Sequence, residues 1–170
     1  MNTHTPLPQG GVKACADYLR SLVWDGTLPV PLEPITEIIQ TDANLALAVE
    51  VSATERRVWL DARGPQDIQL RLPAECSTTN TRLWTAWSIG MLTLGHSVPS
   101  VGQARFAPEP EAAPCIRAAS RFAAELLVPR AELVQALERE TVPSLESLFL
   151  VPSEVLAYQM ADAGLSSIVR

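Results

Sequence analysis

The stretch Thr79–His96, TNTRLWTAWSIGMLTLGH, decides how the rest of the chain is read. Wound at helical spacing, Leu83, Trp84, Ala86, Trp87, Ile89, Met91, Leu92 and Leu94 leave almost no polar face, and no charged residue follows Arg82. A helix that is apolar all round belongs in the middle of a domain. The run is too short, and too interrupted by Thr, Ser and Gly, to span a bilayer. It is expected to be a core helix against which the other elements pack.

The remainder of the chain is consistent with a packed interior. Its 170 residues, 47% apolar and 19% charged, suit one domain with a substantial core, or a domain with a small appendage. The net charge of −6 argues against a general nucleic-acid or anionic-membrane surface, because phosphate binding needs concentrated Lys and Arg. The opening MNTHTPLPQGG lacks the basic start and apolar run of a signal peptide, so a cytoplasmic location is expected. Cys15, Cys76 and Cys115 are odd in number and widely spaced. They read as reduced thiols buried as small hydrophobes, not as a disulfide frame or a zinc knuckle.

Upstream of the central stretch, residues 1–11 carry Pro6, Pro8 and Gly10 and read as a loose tail. Val12, Cys15, Tyr18, Leu19 and Leu22 recur at helical spacing over residues 12–24, and a short helix is expected at Ile35–Gln40. Leu45, Leu47, Val49 and Val51 alternate as in a half-buried strand, SATER at 52–56 reads as a turn, and Arg57–Ala62 reads as a second strand. Ile68, Leu70 and Leu72 suggest a third, weaker one. The expectation is an α+β fold with a small three-stranded antiparallel sheet packed on helices.

Downstream, Pro and Gly in residues 97–114 predict a long surface loop. A helix over 115–128 should stop before Pro129, and another should run from Ala131 to Glu140. Residues 141–170 read as two helices around a tight turn, N-capped by Ser144 and Ser153, with Glu146 and Glu154 in the first turns and Gly164 as the stop. The boundaries expected are thus a tail (1–11), a main domain (12–140) and a C-terminal helical unit packed on it (141–170).

Several of these stretches together resemble the ImmA/IrrE family of metallo-endopeptidases. Arg121-Phe122-Ala123-Ala124-Glu125-Leu126-Leu127-Val128-Pro129 is close to that family's F-A-A-E-L-L-M-P signature, and Arg82–Met91 aligns with its R-F-T-L-A-H-E-L-G-H helix. The ending Phe149–Leu165 is similar to the helical tail that follows the peptidase core. The likeness runs from about residue 12 to 166, the N-terminal third matching only in its order of elements. It implies a zincin-like fold and, for the C-terminal unit, a helix-turn-helix-like pair.

The departure from the pattern bears on chemistry. In a zincin, two histidines four residues apart bind zinc and the glutamate beside the first is the general base. Here Trp87 and Met91 stand at the histidine positions and Ser88 at the glutamate position. Ile116, Arg117 and Ala118 occupy the region of the family's third, acidic ligand. Trp cannot ligate zinc, Met is a soft and poor ligand for it, and Ser is no base at neutral pH. Neither a metal nor another cofactor is expected. A substitute site would have to assemble His96 with Cys115, Glu109 and Glu111, and one histidine without a second ligand at fixed spacing argues against it.

What the resemblance then implies is a catalytically inactive pseudopeptidase that binds a protein. The family's active members cleave transcriptional repressors in stress responses and mobile-element control, so a repressor is the partner implied. Thr85, Ser88, His96 and Glu125 are the candidates for lining the former cleft. Two other readings stay open. One is an enzyme with a changed, metal-independent site around Ser88, which would need a base and an orienting acid. The other is a DNA-binding regulator using the C-terminal unit, opposed by Glu140, Glu146, Glu154 and Asp162 and by the lack of any Lys or Arg over residues 140–169.

Overall fold

In the computed structural model, which describes residues 11–42, 44–64, 66–95 and 101–165, two helices come first, α1 (Gly11–Val23) and α2 (Glu33–Asp42). Three strands follow, β1 (Ala46–Ser52), β2 (Trp59–Gly64) and β3 (Asp67–Pro73). The apolar stretch forms α3 (Thr78–Thr93), and a short strand, β4 (Val101–Gln103), comes after it. The chain then continues as α4 (Pro114–Leu127), α5 (Arg130–Leu137), α6 (Val142–Phe149) and α7 (Ser153–Asp162). The fold is mixed α+β. The expected tail falls almost wholly outside the described residues. No helix among those described is long and apolar enough to cross a membrane.

The sheet departs from the three-stranded antiparallel one expected, having four strands and one parallel pair. Its strand order is β1-β3-β2-β4, with β1 parallel to β3, and with β2 antiparallel to both β3 and β4. The physical reason is burial. Ile68, Leu70 and Leu72 of β3 are each 0% exposed, whereas Val49 and Val51 of β1 are 44% and 64% exposed. The strand that can fill both its neighbours' gaps takes the centre, and the one whose valines find less cover takes the edge. Residues 53–58 therefore cross from β1 to β2 past β3 instead of closing a tight turn, and Arg71 Nη1 of β3 ties Glu55 Oε1 of that crossing at 2.9 Å.

The segment expected to be a long surface loop is also partly structured. β4 extends the sheet, and the Ala104 N–H continues the pairing to the Val58 carbonyl at 3.0 Å. Beyond it, Arg121 Nε donates to the Pro108 carbonyl at 3.0 Å and Arg117 Nη1 to the Pro110 carbonyl at 2.7 Å. The chain is thus strapped along α4.

One contiguous apolar core reaches from Cys15 of α1 to Met160 of α7, and it includes Phe149, Val151, Val155 and Leu156 of the C-terminal unit. Gln159 Nε2 donates to the Val128 carbonyl at 2.9 Å and fixes α7 to the end of α4. The helix starts differ from those expected. Thr141 and Pro152 precede α6 and α7, so Ser144 lies within α6, Ser153 opens α7, and Glu146 falls in the second turn of α6. Of the cysteines, Cys15 is buried, while Cys76 and Cys115 are half-buried rather than fully enclosed; all three are free thiols.

The α3–α4 crossing is set by a glycine. A Cβ at Gly90 would lie 2.7 Å from Phe122 Cδ1 and 3.0 Å from its Cβ, and Phe122 is 0% exposed. In an open helix Gly→Ala gains about 1 kcal/mol. Here the overlap reverses the sign: Gly90→Ala is expected to lower the unfolding free energy by about 1–3 kcal/mol, the usual cost of overpacking. Urea denaturation at unchanged m-value checks this, and a stabilised variant would show that the helices do not cross at this residue.

Candidate functional site

α3 is held at its start by its own cap, Ser77 Oγ accepting from the Asn80 N–H at 3.2 Å. From there the helix carries Trp87, Ser88 and Met91 into the interior, where they are 3%, 0% and 1% exposed. Trp87 meets Trp84 edge-on, with ring centroids 6.2 Å apart and planes at 75°. Its Nε1–H donates to Ser120 Oγ of α4 at 3.2 Å, and the same oxygen accepts the Ala107 N–H at 2.9 Å. One buried hydroxyl therefore joins α3, α4 and the strap over residues 104–113.

These residues do not fit a zinc ion. The indole nitrogen is a donor only and is already engaged by Ser120. The thioether of Met91 is a poor zinc ligand, and Ser88 Oγ is a buried hydroxyl with no hydrogen-bond partner among the described residues. No three His, Cys, Asp or Glu side chains among the described residues form a group that could hold a metal. His96 lies outside the described residues, and with it the substitute ligand set that it would have to complete.

Of the four residues expected to line one cleft, the three that lie among the described residues, Thr85, Ser88 and Glu125, do not meet in one. Ser88 has no exposed surface. Thr85, one turn before Ser88 along α3, is only half-buried, with Oγ1 donating to the Thr81 carbonyl at 2.8 Å. Glu125 faces α1, its carboxylate 3.7 Å from Lys13 Nζ, while Arg20 reaches the Glu125 carbonyl oxygen and the Asp17 carboxylate. The Arg20 guanidinium also lies over the Trp24 ring, 5.5 Å from its centroid. Glu125 thus serves the α1–α4 contact. Burial pushes its carboxyl above the ordinary range; the Lys13 charge opposes that, and the Asp162 and Asp17 charges add to it.

A groove that the sequence did not reveal opens between α2, β1 and α3. It measures about 410 Å³, and Leu32, Thr36, Val49, Thr81, Arg82 and Thr85 form its walls, with Glu33 and Glu37 exposed at the rim. Arg82 is committed inward: its Nη2 donates to the Val30 carbonyl at 2.8 Å. Burial lowers its pKa, and the Glu33 charge opposes that. The alternation of Leu45, Leu47, Val49 and Val51 did mark these side chains as one face of β1. Only the strand order puts β1 at the edge of the sheet.

No known family model matches this chain, and no curated protein matches it.

Two outcomes follow from the geometry of α4. Ser120→Ala removes the acceptor of two buried N–H groups, at about 1–3 kcal/mol for each orphaned donor. Urea unfolding should show that loss with a change in Trp emission, and an unchanged midpoint would remove Ser120 as the tie. For Glu125, the neutral acid favours the fold below its unfolded pKa of about 4.3. That contribution is lost as pH rises through the higher folded pKa. Stability should therefore decline over this window, and Glu125→Gln should flatten the decline in pH-resolved melts; an unaltered slope would place the titration elsewhere.

Proposed function

We propose that this chain is a catalytically inactive, zincin-like relative of the ImmA/IrrE peptidases that regulates by binding a protein, with a transcriptional repressor as the partner. The observation that carries this reading is the burial of Trp87, Ser88 and Met91. At the positions where the family pattern puts two ligands and a base, the side chains are 3%, 0% and 1% exposed and packed into the core. A zincin needs an open coordination position for water and substrate. A packed indole in that place leaves room for neither.

On this reading the scaffold stays and the hydrolysis goes. Sequestering a repressor, or competing with an active peptidase for one, requires only a binding surface. The rival enzyme reading would need Ser88 to meet substrate, and its full burial weighs against that. The DNA reading is opposed by the acidic C-terminal unit: phosphate contacts need cations that α6 and α7 do not carry.

The test combines composition and activity. Elemental analysis of the purified chain should find no stoichiometric zinc, and a repressor of the kind cleaved by the family should be bound but left intact in the presence of added zinc. Stoichiometric metal or metal-dependent cleavage would sink the proposal.

A further inference from the structure

We infer that the partner docks as an added β-strand on the outer edge of β1, presenting an extended segment with basic side chains to the groove between α2 and α3. This deepens the protein-binding reading and rests on it, but it requires no peptidase ancestry.

The backbone geometry supplies the first part. β1 pairs with β3 in parallel register, Ala46 opposite Asp67 and Val51 opposite Leu72. In such a ladder alternate residues direct both N–H and C=O to the neighbour, and those between direct them away. The Ala46 N–H bonds the Gln66 carbonyl at 2.7 Å, so Ala46, Ala48 and Glu50 face β3, and Leu47, Val49 and Val51 face outward. Gln40 Nε2 of α2 already satisfies the Leu47 carbonyl at 3.1 Å. At Val49 and Val51 no strand among the described residues pairs with the outer edge. These two valines are also among the few large apolar side chains left exposed, at 44% and 64%. An exposed edge with β-branched side chains is a template for strand addition.

Charge supplies the second part. Side chains of an added strand on the Val49 face would enter the groove of about 410 Å³, past Glu33 and Glu37. The one cation in its wall, Arg82, is bound to the Val30 carbonyl and lies close to Glu33, so the rim is acidic toward solvent. Lys or Arg on the incoming segment matches that rim, and Asp or Glu does not. The groove is separate from the former metal position. Thr85 and Trp87 differ by two residues, hence by about 200° around α3.

The test uses the full chain and two synthetic peptides, acetyl-Thr-Lys-Val-Lys-Val-Thr-amide and its counterpart with Glu for Lys. Amide chemical shifts and hydrogen exchange are read on addition of each. The expected result is saturable change at Val49, Val51 and Thr85 below about 1 mM for the Lys peptide, weakened by salt, with slowed exchange at the two valine amides. Val51→Pro removes an outward N–H without touching the ladder to β3 and should weaken binding at least about tenfold. Glu37→Lys, on the exposed face of α2, should shift preference toward the Glu peptide and does not depend on the strand tolerating proline.

Equal binding of both peptides, or binding unaffected by both variants, would overturn the proposal. So would valine amides already protected in the free monomer, which would mean that another part of this chain covers the edge. Protection that rises with protein concentration would assign the edge to a second copy and likewise overturn it. Repressor binding that persists unchanged in Val51→Pro would overturn this docking mode while leaving the protein-binding reading intact. Lys-peptide binding without repressor binding would do the reverse.

Discussion

At the crossing of α3 and α4 the bare Cα of Gly90 meets the ring of Phe122, and the two helices approach as closely as backbones and a buried aromatic permit. The remaining packing is arranged from that contact. α3 lies between the sheet and α4, so its second half, residues 86–93, is buried on every side, and the apolar composition of that half follows. α4 in turn carries α1 on one side through Arg20 and Glu125, and α7 on another through Gln159 and the Val128 carbonyl. Each attachment uses a side-chain donor on a backbone carbonyl, an economical way to satisfy the helix end and dock a neighbour together.

The same crossing explains why Trp87, Ser88 and Met91 are enclosed. Beside that crossing Trp87 is buried to 3% exposure, and its single donor needs an acceptor once it is dry. Ser120 supplies it and also takes the Ala107 N–H, so a polar group in the core becomes the point where three segments are registered against one another. A buried hydroxyl with two donors on it is a positional constraint as much as a source of stability. It holds the strap at Ala107 against α4, at the point where the indole of α3 also binds.

Much of the helical framework was legible. The central helix, the stop before Pro129 and the two C-terminal helices followed from periodicity and proline geometry, since each is a local property. The sheet was less legible. The alternation at Leu45–Val51 and at Ile68–Leu72 identified strands, but which of them sits in the middle depends on competition among all three for the same cover, and no local pattern encodes that. The helix caps failed for a related reason: Ser144 and Ser153 are good caps by type, but α6 and α7 begin at chain positions dictated by where Leu145 and Val155 must be buried. The candidate cleft was the least legible part. Thr85 and Ser88 are one turn apart on α3, but packing encloses Ser88 completely and leaves Thr85 half-buried, and Glu125 belongs to the contact between α1 and α4.

The insertion of β3 between β1 and β2 also orders the events by which the sheet can assemble. β2 and β3 are joined by a short connection, and Ala62 pairs with Ile68 across it; β1 must wait, because Leu47 pairs with that same Ile68 from much further back in the chain. Closing a loop of 21 residues rather than 6 costs about 1 kcal/mol more by chain entropy alone. On a growing chain β1 is made first and must wait for β3 before it can pair. Its valine-bearing edge is therefore the first part of the sheet to emerge during synthesis, and Glu50, placed between Val49 and Val51, puts a charge into that run of the kind that disfavours edge-to-edge pairing.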